Sequence, residues 1–210
     1  DVDTTNFPTI KAKFYAFDAA GQQQRPSLGD LSLTENGVSR TITSVSCPIP
    51  PPPRAISSVL VMDVSGSMSD GHGNVANIDL AKKAAQSWVN GLPHGASEAA
   101  LTSFDDHNYL NQDFTTDRKK LLTSINGITP NNGTNYDAAM INPMAGGLIV
   151  SKSGKYQKVI IFLSDGLPNS EPKTAQIINE AKLQNCIIFC VTLGLPAPQC
   201  MKDMATQTGG

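Results

Sequence analysis

At 210 residues, with 40% apolar and 16% charged side chains, the chain has length for one well-buried domain plus a small accessory module. Its net charge of −2 leaves no basic footprint for nucleic acid or for an anionic membrane surface. No apolar run approaches the ~18 residues that a membrane span requires, and no basic-then-apolar leader stands at the start; Asp1 opens the chain without an initiator Met, as after signal cleavage or tag removal.

Residues 1–47 read as a β-rich module. Ile10–Phe17 begins with apolar and basic residues in alternation, and Asp18-Ala19-Ala20-Gly21 then signals a turn. Leu31–Glu35 and Val38–Val45 flank Asn36-Gly37, the dipeptide that best tolerates the positive φ angles of a tight hairpin. Pro48-Ile49-Pro50-Pro51-Pro52-Pro53 follows. Its prolines lack amide donors and hold the chain extended, so residues 48–54 read as a stiff linker and a domain boundary. A proline-rich ligand for aromatic grooves is the alternative, and the position between two folded segments favours the linker.

From residue 55 to 210, strands and helices alternate. Ser57–Asp63 is a short, nearly continuous apolar run ending in a Gly- and Ser-rich loop, as expected of a strand buried on both faces. Asn77–Gly91 places Ile78, Ala81, Ala85, Trp88 and Leu92 on one helical stripe, with Trp88 expected in the core. Ala99–Phe104 is a strand and Tyr109–Phe114 an edge strand, and Thr116-Asp117 then cap a helix containing Leu121, Leu122 and Ile125 that Gly127 closes. Asn135–Val150 is helical, interrupted by Pro143 and Gly146-Gly147. Val159–Leu163 is a second buried strand. Ser170, with Pro172 in the first turn, opens a helix through Gln184; Cys186–Leu193 is a third buried strand, and Gln199–Thr206 a last helix before Gly209-Gly210. Such alternation predicts an α/β domain with a doubly wound, mostly parallel sheet and helices on both faces, whose ligands bind at the carboxyl ends of the strands where strand order reverses.

Three segments carry oxygen ligands to such ends. Asp63-Val64-Ser65-Gly66-Ser67 leaves the first buried strand, Leu163-Ser164-Asp165-Gly166 leaves the second, and Asn131-Asn132-Gly133-Thr134-Asn135 opens a helix between them. Asp63, Ser65, Ser67, Thr134 and Asp165 form an all-oxygen set suited to Mg²⁺ first, with Ca²⁺ or Mn²⁺ as alternatives, and ill suited to zinc or copper. Neutral hydroxyls leave the cation's charge less quenched than further carboxylates would. The set does not fill about six coordination places, so one is left for water or a partner.

These segments, in their order and intervals, resemble the metal-ion-dependent adhesion site of von Willebrand factor type A domains and integrin inserted domains. The resemblance covers roughly residues 55 to 210, and all three segments together make it specific. It implies that Ser65, Ser67 and Thr134 approach the metal directly, that Asp63 and Asp165 act through water, and that an acidic side chain of a ligand completes the shell. Residues 7–47, through Gly29-Asp30-Leu31 and Thr34-Glu35-Asn36-Gly37-Val38, resemble the β-rich leader before such domains in some bacterial secreted proteins. The family's pattern continues past Thr208-Gly209-Gly210 into one more strand or helix, so a fold cut short at this end is expected.

Other features have plainer readings. Asp70, Asp105 and Asp106 are expected as solvated loop carboxylates, and His72, His94 and His107 as exposed loop residues. Asn132-Gly133-Thr134 is formally a glycosylation sequon, but a glycan there would crowd the metal. Cys47, Cys186, Cys190 and Cys200 contain no CxxC. Cys186 and Cys190 would lie about 13 Å apart on one strand face, so any disulfide must reach to Cys47 or Cys200; four unpaired thiols are the alternative. The expected function is a secreted, periplasmic or cell-surface binding module, not an enzyme, that engages a carboxylate of a protein partner through the metal. No nucleic-acid partner and no membrane insertion are expected. A structural assembly subunit with a stabilising or empty metal site is the alternative. A metal-dependent hydrolase ranks third, because no GxSxG, HExxH or GxxxxGK[ST] pattern supplies a nucleophile or base.

Overall fold

The computed structural model describes residues 2–47, 53–72, 74–93, 95–131 and 133–210, the His72 side chain excepted. Two compact units are present, Asp1–Pro52 and Pro53–Gly210. Most of the proline run read as a linker (Pro48–Pro52), the sequon's Asn132, and His94 lie outside the described residues.

Pairing in the first unit is short. Val2–Asp3 pairs with Lys11–Ala12, Ala16–Phe17 with Gln23–Gln24, and Leu33–Glu35 with Val38–Arg40, all antiparallel. The strand expected over Ile10–Phe17 is therefore split between two ribbons. Phe14 and Tyr15, adjacent in sequence, are both exposed, so no single sheet face orders this stretch. The Asn36-Gly37 hairpin forms as expected, with φ of 52° and 80°, the pair of positive angles that a type I′ turn demands.

The second unit contains β1 (Ile56–Asp63), α1 (Asn77–Gly91), β2 (Glu98–Phe104), β3 (Asn108–Thr115), α2 (Arg118–Asn126), α3 (Tyr136–Met140), α4 (Gly147–Ser151), β4 (Gln157–Ser164), α5 (Thr174–Leu183), β5 (Ile187–Thr192) and α6 (Gln199–Thr208). A five-stranded sheet runs in the order β3-β2-β1-β4-β5, with β3 antiparallel to β2 and every other pair parallel. Alternate residues of the strands feed two core layers. Val59, Val61, Phe104, Ile160, Phe162 and Ile188 face α3 to α6, whereas Leu60, Met62, Leu101, Ile161 and Leu163 face α1 and α2. The doubly wound α/β architecture expected from the alternation is the one observed. Strand order reverses between β1 and β4, which places a crevice at their carboxyl ends.

Local departures have local causes. The helical stretch after Asn135 breaks into α3 and α4 around Pro143, as expected, and α4 approaches β1 so closely that a Cβ on Gly147 would lie 2.6 Å from Val61 Cγ2. Helix α5 starts at Thr174, not Ser170: Lys173 N donates to Asp137 Oδ1 at 2.8 Å, so Pro172 lies before the helix. Strand β5 is not buried on both faces, because it is the sheet edge and Phe189 is exposed on it. Trp88 is half-buried, its indole Nε1 donating to Ser58 Oγ at 3.1 Å, and Val89 fills the core position beside it. All four cysteines are free thiols, so the disulfide reaching Cys47 or Cys200 is not formed. Cys186, Cys190 and Cys200 pack instead against one core layer, and burial pushes the Cys186 and Cys190 thiols up to about 12. No described helix is long and apolar enough to cross a membrane.

Candidate metal centre

Asp63 is the last residue of β1. Parallel neighbours flank the strand on both sides and apolar side chains precede it, so this carboxylate is carried fully inside the sheet. Its Oδ1 accepts the Ser65 backbone N–H at 2.7 Å, a local Asx turn that starts the loop. Oδ2 accepts the Ser164 hydroxyl at 2.5 Å, across from the end of β4. The chain then makes one 3₁₀ turn, Gly66–Ser69, anchored by the buried Met68. That turn brings Ser65 Oγ and Ser67 Oγ to 3.1 Å and lets Ser67 Oγ donate to Asp165 Oδ1 at 2.9 Å. Asp63, Ser65, Ser67, Ser164 and Asp165 therefore belong to one hydrogen-bonded network spanning the β1/β4 crevice.

Thr134 is held by tethers on its neighbours. Asn131 N donates to Val64 O at 2.6 Å, Asn135 N to Asp105 O at 2.9 Å, and Asn169 N to the carbonyl of Thr134 itself at 2.9 Å. The Thr134 side chain belongs to a buried residue, and two positions later the Tyr136 hydroxyl donates to Gly166 O at 2.7 Å and Ser164 Oγ at 3.1 Å. Gly133 lies close against two exposed side chains, which would have to turn aside for any larger residue. A Cβ there would stand 2.3 Å from Asp106 Oδ1 and 2.4 Å from Asn169 Nδ2.

Asp105 corrects an expectation. It is not a solvated loop carboxylate but is fully buried, accepting His107 N at 2.7 Å, the Tyr109 hydroxyl at 3.2 Å and Asn131 Nδ2 at 3.2 Å. It thus fastens the Thr134 loop to the end of β2. Asp70 and Asp106 are exposed, and His107 is exposed with Nδ1 3.8 Å from Asp105 Oδ1.

Burial pushes the Asp63 carboxyl up to about 6; hydrogen bonds from Ser164 and Ser65 pull against that rise, and the charge of Asp165 adds to it. The ion pairs of the described residues join Arg40 to Glu35, Lys152 to Glu180, Lys155 to Glu98 and Lys173 to Asp137, besides the long His107–Asp105 contact, and neither Asp63 nor Asp165 takes part in them. Two acids share a network answered by hydroxyls and amides, an environment that a divalent cation would complete. Among the described residues no group of three or more His, Cys, Asp or Glu is placed to hold a metal. A thiolate- or imidazole-rich centre is therefore not on offer there, whereas two carboxylates with hydroxyls fit a hard cation.

Three contributors escaped the sequence reading. Ser164 lay inside a motif already singled out but had no role, and Tyr136 looked like any helix residue. Asn77 begins α1 and donates from Nδ2 to Asp165 Oδ2 at 2.8 Å, and only its polar side chain at a buried helix start hinted at a function.

Residues 58–167, over half of the chain, match the family model of the von Willebrand factor type A domain. No curated protein matches the chain. The fold is shared with solved structures of low sequence identity. BatB from Bacteroides thetaiotaomicron aligns with a TM-score of 0.61 at 16% identity, over 74% of this chain and 88% of BatB. An aerotolerance-related membrane protein from Bacteroides fragilis aligns at 0.60 and 15%, over 74% and 89%. Proximal thread matrix protein 1 from the mussel byssus, in a form with a zinc-occupied MIDAS motif, aligns at 0.60 and 18%, over 72% of this chain. The chain spans only 39% of the mussel protein's length.

Proposed function

The chain belongs to the von Willebrand factor type A domain family, and on that premise we propose that it is an extracellular or cell-surface binding module that holds a divalent cation and grips an acidic group of a partner protein through it. Ser65, Ser67 and Thr134 would be the direct ligands, with Asp63 and Asp165 balancing charge and orienting waters. The observation that carries this reading is the Asp63–Ser65–Ser67–Asp165 network at the strand-order reversal, where two carboxylates meet without a basic partner among the described residues. When bound, the cation supplies positive charge and an open coordination position. The chain's own part is to fix the hydroxyls on a pinned turn, to bury Asp63 so that its charge awaits a cation, and to keep a rim open to solvent at Ser67.

Mg²⁺ suits a set of hard oxygens with places left for water, and Ca²⁺ and Mn²⁺ are the alternatives. Zinc belongs in the same panel because the mussel protein's motif holds it. Binding fits these residues better than catalysis does, since among the described residues the network places no His and no activated nucleophile beside the oxygen ligands. The byssal thread matrix, the setting of the mussel protein, agrees with a location outside the cell.

The test is direct. Calorimetric titration of the EDTA-treated protein with Mg²⁺ and Mn²⁺ should show one site that Ser65→Ala plus Ser67→Ala removes. Paired peptides differing only in Glu or Gln, displayed on beads, should retain the protein through Glu alone, and EDTA should release it. Retention and melting temperature both indifferent to EDTA would remove the metal from the account and leave an assembly subunit. Metal-dependent turnover of a phosphoester or peptide would replace binding with hydrolysis.

A further inference from the structure

Asn77 is a 7%-exposed side chain at the first position of α1, and only half of its carboxamide is used. Nδ2 donates to Asp165 Oδ2 at 2.8 Å. Because an ionised carboxylate only accepts, this bond fixes which end of the amide is nitrogen and which is oxygen. The oxygen, Oδ1, is buried and has no partner among the described residues. Amide bond lengths set Nδ2 and Oδ1 roughly 2.3 Å apart, so Oδ1 lies within about 5 Å of Asp165 Oδ2. The Asn77 backbone N–H donates to Asp70 O at 2.8 Å, which ties the same residue to the end of the Ser65–Ser67 loop. One residue thus joins both halves of the site and keeps a buried acceptor unspent beside it, at the position where burial without a partner costs most.

We propose that Asn77 is a positioning residue of the cation site: Nδ2 orients the Asp165 carboxylate, and Oδ1 accepts a hydrogen bond from a water in the cation's shell. This rests on the metal-binding reading above. It goes beyond that reading by assigning a sixth side chain, from a helix outside the three ligand segments, and by giving the unpartnered oxygen its donor. Outer-shell groups of this kind orient ligands and typically govern metal affinity by about 10- to 100-fold.

Two variants test it, Asn77→Ala and the similarly sized Asn77→Leu, read by Mn²⁺ calorimetry and by melting temperature in EDTA. The inference expects both to bind Mn²⁺ about 10- to 100-fold more weakly than the wild type. In EDTA the two effects of Asn77→Leu oppose, loss of the hydrogen bond to the buried Asp165 carboxylate against removal of a buried acceptor left unsatisfied, so its melting temperature is expected to move little while Mn²⁺ affinity falls. An Asn77 that merely braces the fold gives the opposite pattern, a lower melting temperature in EDTA with Mn²⁺ affinity within about twofold of wild type, and that result overturns the inference while leaving the metal reading intact. Failure of both variants to fold would likewise mark Asn77 as structural. A wild-type protein that binds no Mn²⁺ at millimolar concentration overturns both.

Discussion

Asp63→Asn should make the metal-free domain more stable at alkaline pH while abolishing its response to Mg²⁺. In the fold the Asp63 carboxyl titrates near 6, against 3.8 for an unperturbed aspartate. A folded-state pKa raised above the unfolded value means that the group's contribution is fully present below about pH 4 and is lost as pH rises through about 6. Two units at 1.36 kcal/mol each put the cost of holding the ionised form at about 3 kcal/mol. Asparagine resembles the protonated carboxyl and escapes that cost. It keeps an oxygen for the Ser65 N–H, but Ser164 must turn its hydroxyl from donor to acceptor, which returns about 1 kcal/mol. The net gain is about 2 kcal/mol above pH 7, or roughly 4–8 °C for a domain of this size, and it falls with pH to a loss of about 1 kcal/mol near pH 4, where only the hydroxyl's rearrangement remains. Urea unfolding in EDTA at several pH values measures it, and differential scanning with and without Mg²⁺ measures the lost metal response. An Asp63→Asn protein less stable than wild type at pH 8, or shifted by the same amount at pH 4 and pH 8, would refute the electrostatic reasoning.

Other perturbations separate affinity from folding. Ser67→Ala and Thr134→Ala should each remove most of the Mg²⁺-induced rise in melting temperature; in EDTA the exposed Ser67→Ala should change stability by no more than about 1 kcal/mol, and Thr134→Ala, which also loses a buried methyl group, by about 1–2 kcal/mol; a larger loss in EDTA would show the hydroxyls to be structural. Thr102 Oγ1 is buried in β2 without a partner among the described residues, so Thr102→Val should stabilise the domain by about 1 kcal/mol, with an unchanged or lowered urea midpoint as the contrary result. Glu98, buried at the opposite end of β2, accepts the Ser57 hydroxyl at 2.8 Å and Lys155 N at 2.9 Å. Glu98→Ala strands both donors and should cost about 2–3 kcal/mol with Mg²⁺ affinity unaltered, and a parallel loss of affinity would contradict its assignment to the scaffold.

Much of this fold is written locally. Short apolar runs without alternation at 59–62 and 159–163, rich in β-branched residues and followed by polar loops, fit the middle of a parallel sheet, and Asn36-Gly37 fits a hairpin turn, so local signals point to both. The proposed donors Asp63, Ser65, Ser67, Thr134 and Asp165 could be singled out from the sequence because oxygen chemistry and strand ends are properties of short segments. Which other groups serve that chemistry was not legible. Ser164 meets Asp63 across 101 positions, Asn77 meets Asp165 across 88, and Asp105 pins a loop 26 residues away. Burial is likewise a property of the assembled layers: the same sequence pattern that reads as a solvated Asp105 or a buried β5 is reversed once one residue lies under the Thr134 loop and the other strand has no neighbour beyond it. The sequence by itself determined the kind of sheet and which oxygen-bearing residues stand at its strand ends; the tertiary structure alone decided which side chains they bond to, because hydrogen bonds between distant segments depend on how strands are ordered and not on any local period.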